Sequence, residues 1–247
     1  MNRDFPELEG KTAIVTGASS GIGRATAQLL AQNGARVALV SRSRQLLEVL
    51  SGTMPGSKAF PADMTSIPQI RKMVAAVAKH YGGVDILVNN AGQGYDAVLE
   101  RIDIGTFRHI YDLNVIGPLV AMQQVIPIMK EQGGGSIINV SSGTALMNLP
   151  GMSPYSSSKR ALGSISLAAR EELHVYGIVV SVVYPYITVT SFEKNTIRAV
   201  PVPEDEMEPT GPYPPDSAEF IAEKIIGGIQ SGDAEIFAHD WMKERRV

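Results

Sequence analysis

The chain of 247 residues contains no cysteine and a single tryptophan. Without cysteine there is no disulfide, iron–sulfur cluster, thiolate zinc site or cysteine nucleophile, a composition that suits a reducing compartment. An excess of charge of one sign is also missing: 22 Lys and Arg stand against 25 Asp and Glu, for a net charge of -3. That balance supplies no basic footprint for nucleic acid or an anionic lipid surface. No apolar run reaches the length of a bilayer crossing, and the N-terminal MNRDFPELEGK lacks the apolar core of a signal peptide. The expectation is a cytoplasmic protein with no membrane or nucleic-acid partner. His80, His109, His174 and His239 are scattered with no H-x-x-x-H pair, so no metal site is expected. There is also no G-x-S-x-G elbow and no G-K-S/T after the first glycine turn, which excludes a serine-hydrolase elbow and a P-loop.

What is present is a globular pattern. At 44% hydrophobic and 19% charged residues the chain is too apolar to stay disordered. Its length suffices for a full core in one domain. The runs at 12–16, 35–40, 84–88, 136–140 and 178–184 are apolar almost throughout rather than alternating. Strands covered on both faces read that way, as in a parallel sheet. Helical stretches lie between them. One spans 22–33 and stops at Gly34, one opens at Thr65 or Ser66 with Pro68 in its first turn and ends at Gly82, and one opens at Ser153 and Pro154 and runs to Gly177. Asp216 and Glu219 resemble a capping box before Ile221, Ile225 and Ile229, which share one helix face. Strand and helix alternate to the end, which predicts an α/β fold: a doubly wound, Rossmann-like parallel sheet with helices on both faces, in a single domain over 1–247.

The first strand runs into Thr16-Gly17-Ala18-Ser19-Ser20-Gly21-Ile22-Gly23, and a helix follows. Glycines in such a turn allow a tight bend and let backbone approach a pyrophosphate, while the helix N-terminus offers free N–H groups and positive dipole. The spacing is G-x-x-x-G-x-G rather than G-x-G-x-x-G. With Asn89-Asn90-Ala91-Gly92, Asn114, Ser142 and Tyr155-Ser156-Ser157-Ser158-Lys159, in that order, it resembles the short single-domain branch of the short-chain dehydrogenase/reductase family, from about residue 10 to residue 185. The resemblance implies a carbonyl–alcohol oxidoreductase with Asn114, Ser142, Tyr155 and Lys159 as the catalytic set. It assigns cofactor contacts to Gly17, Ser19, Ser20, Gly21, Ile22, Gly23, Ser41, Arg42, Asp63, Asn90, Ala91, Gly92, Tyr155, Lys159, Pro185 and Thr190. Asn89 and Asn90 also read as structural residues tying neighbouring strands. The family likeness further implies a homo-oligomer, a dimer or tetramer built through helices around 103–131 and 153–176.

Cofactor preference is read at the end of the second strand. No Asp or Glu stands between Leu39 and Leu47, where an acid would bond the 2′-hydroxyl of NAD, and Arg42 is placed for the 2′-phosphate of NADP. NADP(H) is therefore expected over NAD(H); the competing reading is that Arg42 and Arg44 only solvate a helix start. Asp63 has a helix-capping competitor of the same kind.

Tyr155 and Lys159 are four apart and share a helix face. A phenol titrating near about 10 is a poor base at neutral pH. An ammonium ~5 Å away, at an effective dielectric of ~20, favours the phenolate by about 3 kcal/mol, or roughly two pKa units. Tyr155 is then able to act as general acid/base; the resemblance implies that Ser142 donates to the developing alkoxide and that Asn114 holds a water between Lys159 and solvent. A cofactor-binding sensor or scaffold without turnover is the alternative from a different class.

The pattern departs from the family at the substrate end. Tyr186 stands where the family has Gly after Pro185, and is expected either to reshape the substrate pocket or to point outward. Residues 192–215 carry six prolines between 201 and 215 and no regular pattern, which predicts a substrate lid over 190–215. Gln93, Tyr95, Leu146, Met147 and Phe192 are candidate pocket walls for a mostly apolar small-molecule carbonyl or alcohol. A last strand is expected at 234–238, and the V-D-G-G ending of ketoacyl-carrier-protein reductases is missing.

Overall fold

Seven parallel strands in the order β3-β2-β1-β4-β6-β7-β9 form the sheet of the protein, in a computed structural model that describes residues 8–199 and 213–245. The strands are β1 (Thr12–Thr16), β2 (Arg36–Val40), β3 (Lys58–Ala59), β4 (Ile86–Asn89), β6 (Gly135–Val140), β7 (Ile178–Tyr184) and β9 (Glu235–Phe237). A separate parallel pair joins β5 (Tyr95–Asp96) to β8 (Ile197–Arg198). The order reverses direction at β1 and β4, the switch point outside which ligands of such sheets bind.

Apolar runs without alternation become strands here because both sheet faces are covered. In β1, Ala13 and Val15 face one core with Leu30 of α1 (Gly21–Gln32), Leu47 of α2 (Arg44–Ser51) and Ile221 and Ile225 of α8 (Ala218–Ser231). Ile14 faces the other, with Val74 of α3 (Ile67–Tyr81), Val125 of α5 (Gly117–Gln132) and Leu173 of α6 (Ser153–Leu173). The stretch Ile104–Gln132 is long and apolar enough to cross a membrane, with mean hydropathy 1.2, where the sequence suggested no such run. It is α4 (Ile104–Tyr111), a π-helical turn over Asp112–Ile116, and α5, half buried against α3 and the sheet as a core helix.

Helix ends depart from expectation in instructive ways. Ser66 precedes α3 and Gly82 closes it in the left-handed conformation, φ 87°, as read. For α6 the capping position is Met152 rather than Ser153, and a 3-10 turn carries the chain from His174 to Gly177. For α8 the cap is Ser217, whose Oγ accepts from the Phe220 N–H at 3.0 Å. Asp216 instead pairs its carboxylate with His239 Nε2 at 3.0 Å. The segment expected to be irregular contains α7 (Phe192–Asn195) and β8; the remainder of the expected lid, 200–212, lies outside the described residues.

Candidate active site

The glycine turn is stapled to the end of β4. Thr16 Oγ1 accepts from the N–H groups of Asn90 and Ala91, both at 3.0 Å, and Asn90 Nδ2 donates to the Thr16 carbonyl at 3.0 Å. Gly17 has φ 68°, and a Cβ there would lie 2.7 Å from Asn90 Nδ2. A Cβ at Gly23 would collide with Asn90 Nδ2 and the Gly17 carbonyl, and one at Gly21 would press on Thr190 Cγ2 at 3.0 Å. These glycines thus let three segments meet at close range. Asn90 is a structural tie, as the second reading of it held. Ile22 has a second duty as well, packing α1 on Ala218 and Ala222 of α8.

The N-terminus of α1 is open. Ser20 precedes it without a side-chain cap bond, and its first turn has no acidic residue. Free N–H groups in that setting attract an anion. Ala18 N–H bonds the Val40 carbonyl at 3.1 Å, so the turn lies beside the end of β2. There the Ser41 hydroxyl is buried without a partner among the described residues, and Arg42 is exposed. The set therefore fits a nucleotide with phosphate groups, on its own chemistry. Asp63 does not cap α3: its Oδ1 accepts from the backbone and hydroxyl of Thr65 at 2.9 and 2.8 Å, closing the preceding turn. Partial burial opposes its charge, but those two bonds and the nearby Arg42 hold its carboxyl below the usual range.

The catalytic candidates converge from β6, α6 and the π turn. Ser141 donates to the Lys159 carbonyl at 2.9 Å, and Lys159 Nζ donates to the Val140 carbonyl at 2.9 Å. This reciprocal tie, with Arg160 Nε on the Ala145 carbonyl at 2.8 Å, fixes the end of β6 against α6. It places the Ser142 side chain beside Tyr155, near enough to draw the phenol's titration down. Ser142 Oγ also receives the Thr144 N–H at 3.2 Å and lies 3.0 Å from Thr144 Oγ1. Asn114, fully buried in the π turn, accepts from the Gln93 N–H and donates to both the Gln93 carbonyl and Ser158 Oγ, each at 3.0 Å. A Cβ at Gly92 would sit 3.1 Å from Lys159 Nζ and 3.2 Å from Asn114 Oδ1. All four catalytic candidates are thus brought together, with Gly92 between two of them. Pro185 closes the set, its carbonyl accepting from the Gly143 N–H at 2.7 Å.

The electrostatics differ from the simple pair drawn from the sequence. Lys159 Nζ is 5.9 Å from the Tyr155 ring centroid and is turned to a carbonyl. Phe192 of α7 lies over Tyr155 with ring centroids 5.5 Å apart. Burial drives the phenol well above its ordinary value, Ser142 draws it down, and Glu193 and Asp96 add to the rise. The expected lowering of Tyr155 is therefore reversed in the chain alone, with burial the largest cause. Burial also lowers Lys159 to about 8.

Other assignments move. Tyr95 is core rather than pocket wall, its hydroxyl accepting from the Asp103 N–H at 2.8 Å, and Leu146 belongs to the core beside Met242. Gln93 Nε2 donates to the Asn195 carbonyl at 2.7 Å, and Met147 is half-buried after the 3-10 turn Gly143–Leu146. Thr190 rests on Gly21 and accepts from the Phe192 N–H at 3.1 Å. Tyr186 does not point outward: it is buried and packs edge-on against Tyr213, His239 and Trp241. Sequence reasoning missed Thr16, Ser141, Thr144 and Asp96, whose only signal is proximity in the fold.

A family model described as short chain dehydrogenase matches residues 11–200. An uncharacterized oxidoreductase of Methylorubrum extorquens is 39% identical over 189 residues, spanning 74% of this chain and 75% of its own. A 3-oxoacyl-acyl-carrier-protein reductase of Thermotoga maritima is 37% identical over 182 residues, 72% of this chain and 74% of its own. Among solved structures, a 3-ketoacyl-(acyl-carrier-protein) reductase from Brucella melitensis complexed with NADH superposes with TM-score 0.83 at 29% identity, covering 93% of this chain and 97% of that one. With the strand order, the glycine turn and the Ser142–Tyr155–Lys159 cluster in place, this chain belongs to the short-chain dehydrogenase family.

Proposed function

We propose that the protein is an NADP(H)-dependent oxidoreductase that interconverts a small, mostly apolar carbonyl compound and its secondary alcohol, with Tyr155 as general acid/base. The observation that carries the reading is the convergence of Ser142, Tyr155 and Lys159, with Lys159 Nζ 5.9 Å from the Tyr155 ring centroid and the open end of α1 across the same strand ends. Gly17, Ser19, Ser20, Gly21, Ile22 and Gly23 would line the pyrophosphate, Asn90, Ala91, Gly92, Pro185 and Thr190 the nicotinamide side, and Asp63 the adenine. Bound, the cofactor supplies or accepts the hydride.

The chain's own residues handle the proton. Burial keeps Tyr155 protonated, and that is the form carbonyl reduction consumes as the phenol hands its proton to the substrate oxygen. Ser142 donates to the same oxygen as negative charge develops. The Lys159 ammonium, 5.9 Å from the ring, favours the resulting phenolate by about 3 kcal/mol at an effective dielectric of ~20. Asn114 holds the Gln93 backbone beside Lys159, where a water would connect to solvent. Phe192 excludes water from the phenol.

Arg42, exposed beside the unpartnered Ser41 hydroxyl, supports the preference for a 2′-phosphate. Self-association belongs to the same reading, since Val98, Leu99, Ile104 and Ile116 leave apolar side chains exposed near α4 and α5. The test is a ketone and secondary-alcohol panel followed by NADPH absorbance. Tyr155→Phe should bind NADPH normally and lose about 10²–10⁴-fold in turnover. Retained turnover removes Tyr155 from the mechanism, and a clear kinetic preference for NADH removes the NADP reading.

A further inference from the structure

We infer that Thr144 is a positioning residue that sets the direction of the Ser142 hydroxyl, making it a donor toward the reacting oxygen when Tyr155 gives up its proton. The inference rests on the function proposed above for Ser142 and Tyr155. A serine hydroxyl has one hydrogen and two acceptor lone pairs. Two groups of Thr144 bond Ser142 Oγ, its N–H at 3.2 Å and its hydroxyl at 3.0 Å, and the Tyr155 phenol, which Ser142 draws down, is the hydroxyl neighbour on the site side. The N–H can only donate, so one lone pair is always taken. One lone pair and one hydrogen remain for two hydroxyl neighbours.

That leaves two arrangements. In the first, the Tyr155 O–H donates to Ser142 and Ser142 donates to Thr144, which suits a protonated phenol. In the second, the Thr144 O–H donates to Ser142, both lone pairs are filled, and the only direction left for the Ser142 hydrogen is toward the site. The second suits a phenolate or an alkoxide, each of which needs a donor. When Tyr155 passes its proton to the substrate oxygen, Ser142 and Thr144 rotate their O–H bonds. No proton travels along the chain, and the count of hydrogens on each oxygen is unchanged.

The scaffold holds Thr144 to this task. Ser142 caps the 3-10 turn Gly143–Leu146, which folds residue 144 back over it. The turn is pinned by the Gly143 N–H on the Pro185 carbonyl and by Arg160 on the Ala145 carbonyl. A Cβ at Gly143 would lie 2.8 Å from Met242 Cε and 3.1 Å from the Pro185 carbonyl oxygen, so the turn is closely packed on that side. Ser142 is the sole hydrogen-bond partner of Thr144 Oγ1 among the described residues. The spare hydroxyl therefore has one use within the fold.

Thr144→Val keeps the shape and the backbone N–H but removes the second donor. With the fastest ketone and alcohol of the panel, it should lower kcat about tenfold while leaving KM for NADPH within about twofold, as expected for one lost hydrogen bond. In the alcohol-oxidation direction its pH profile should rise at a higher pH, because the phenolate loses its oriented donor. Thr144→Ser should restore both, and Ser142→Ala combined with Thr144→Val should be no slower than Ser142→Ala alone. Trp241 fluorescence and a urea midpoint check that each variant folds; Thr144→Ala serves if the valine variant does not. Wild-type kcat in Thr144→Val, a serine variant as slow as the valine one, or additive losses in the double variant would overturn the inference. If Ser142→Ala itself turns over normally, the reading of Ser142 fails first, a result that the Thr144 variants alone would not produce.

Discussion

Replacing Lys159 by methionine should change how the stability of the protein depends on pH. Burial lowers the folded-state titration of this lysine from 10.5 to about 8. Between those values the unfolded chain binds the proton that the folded chain has released, so wild-type stability rises with pH. The cost of holding the ammonium in the interior is fully present below pH about 8 and is relieved toward about 10.5. It amounts to about 3 kcal/mol in all, most of which is recovered between pH 7 and 10. Tyr155 acts with the opposite sign, since a raised folded value costs stability only above about 10, where unfolded tyrosines ionise. Comparing the two proteins cancels the other groups. The offset at pH 7 mixes the buried charge with loss of the bond to the Val140 carbonyl, 2.9 Å long, so the slope is the quantity to measure. Urea unfolding of wild type and Lys159→Met should show their difference moving by about 2–3 kcal/mol in favour of wild type from pH 7 to 10. A difference constant across that range would refute the argument that desolvation dominates at Lys159.

Two further outcomes follow from the site. Asn114→Leu removes three hydrogen bonds, to both backbone groups of Gln93 and to Ser158, inside the fold; urea unfolding should register a loss of about 3 kcal/mol, and a loss under about 1 kcal/mol would show that neighbours replace them. Phe192→Ala uncovers the Tyr155 ring, now 5.5 Å from it, and weakens the burial that raises the phenol. The upper pH limit of ketone reduction should then move to lower pH, because the protonated acid is lost sooner; an unmoved profile would mean that the ring does not control burial during turnover.

The glycine turn and the Tyr155–Lys159 pair were legible because their signals are local. Gly17 and Gly21 need positive φ, and the spacing of Tyr155 and Lys159 on one helix sets their shared face. The long strands were legible because residues such as Ala13, Ile14 and Val15 are all buried, leaving no polar face to confuse the pattern. What escaped was set by distant partners. β8 has two residues and exists because β5 pairs with it, and the π turn that seats Asn114 differs from an ordinary helix by a hydrogen-bond shift no residue type announces. Asp216 and Ser217 are both competent caps, and only the arrival of His239 decides between them. The state of Tyr155 was misjudged for the same reason. Its neighbour four residues away was visible in the sequence, while Phe192, which covers it, was not.

The aromatic group beside the first turn of α8 has a practical consequence. Trp241 is the chain's lone tryptophan. It is stacked 5.1 Å from Tyr213 and stands edge-on 5.4 Å from Tyr186, at either end of the segment between residues 186 and 213. A shift of either Tyr186 or Tyr213 changes the surroundings of the one indole in the chain. The protein thus carries its own optical reporter: the emission of a label-free sample, followed in a stopped-flow mixer with NADPH and then with ketone, reads the order in which the two ligands reshape the site.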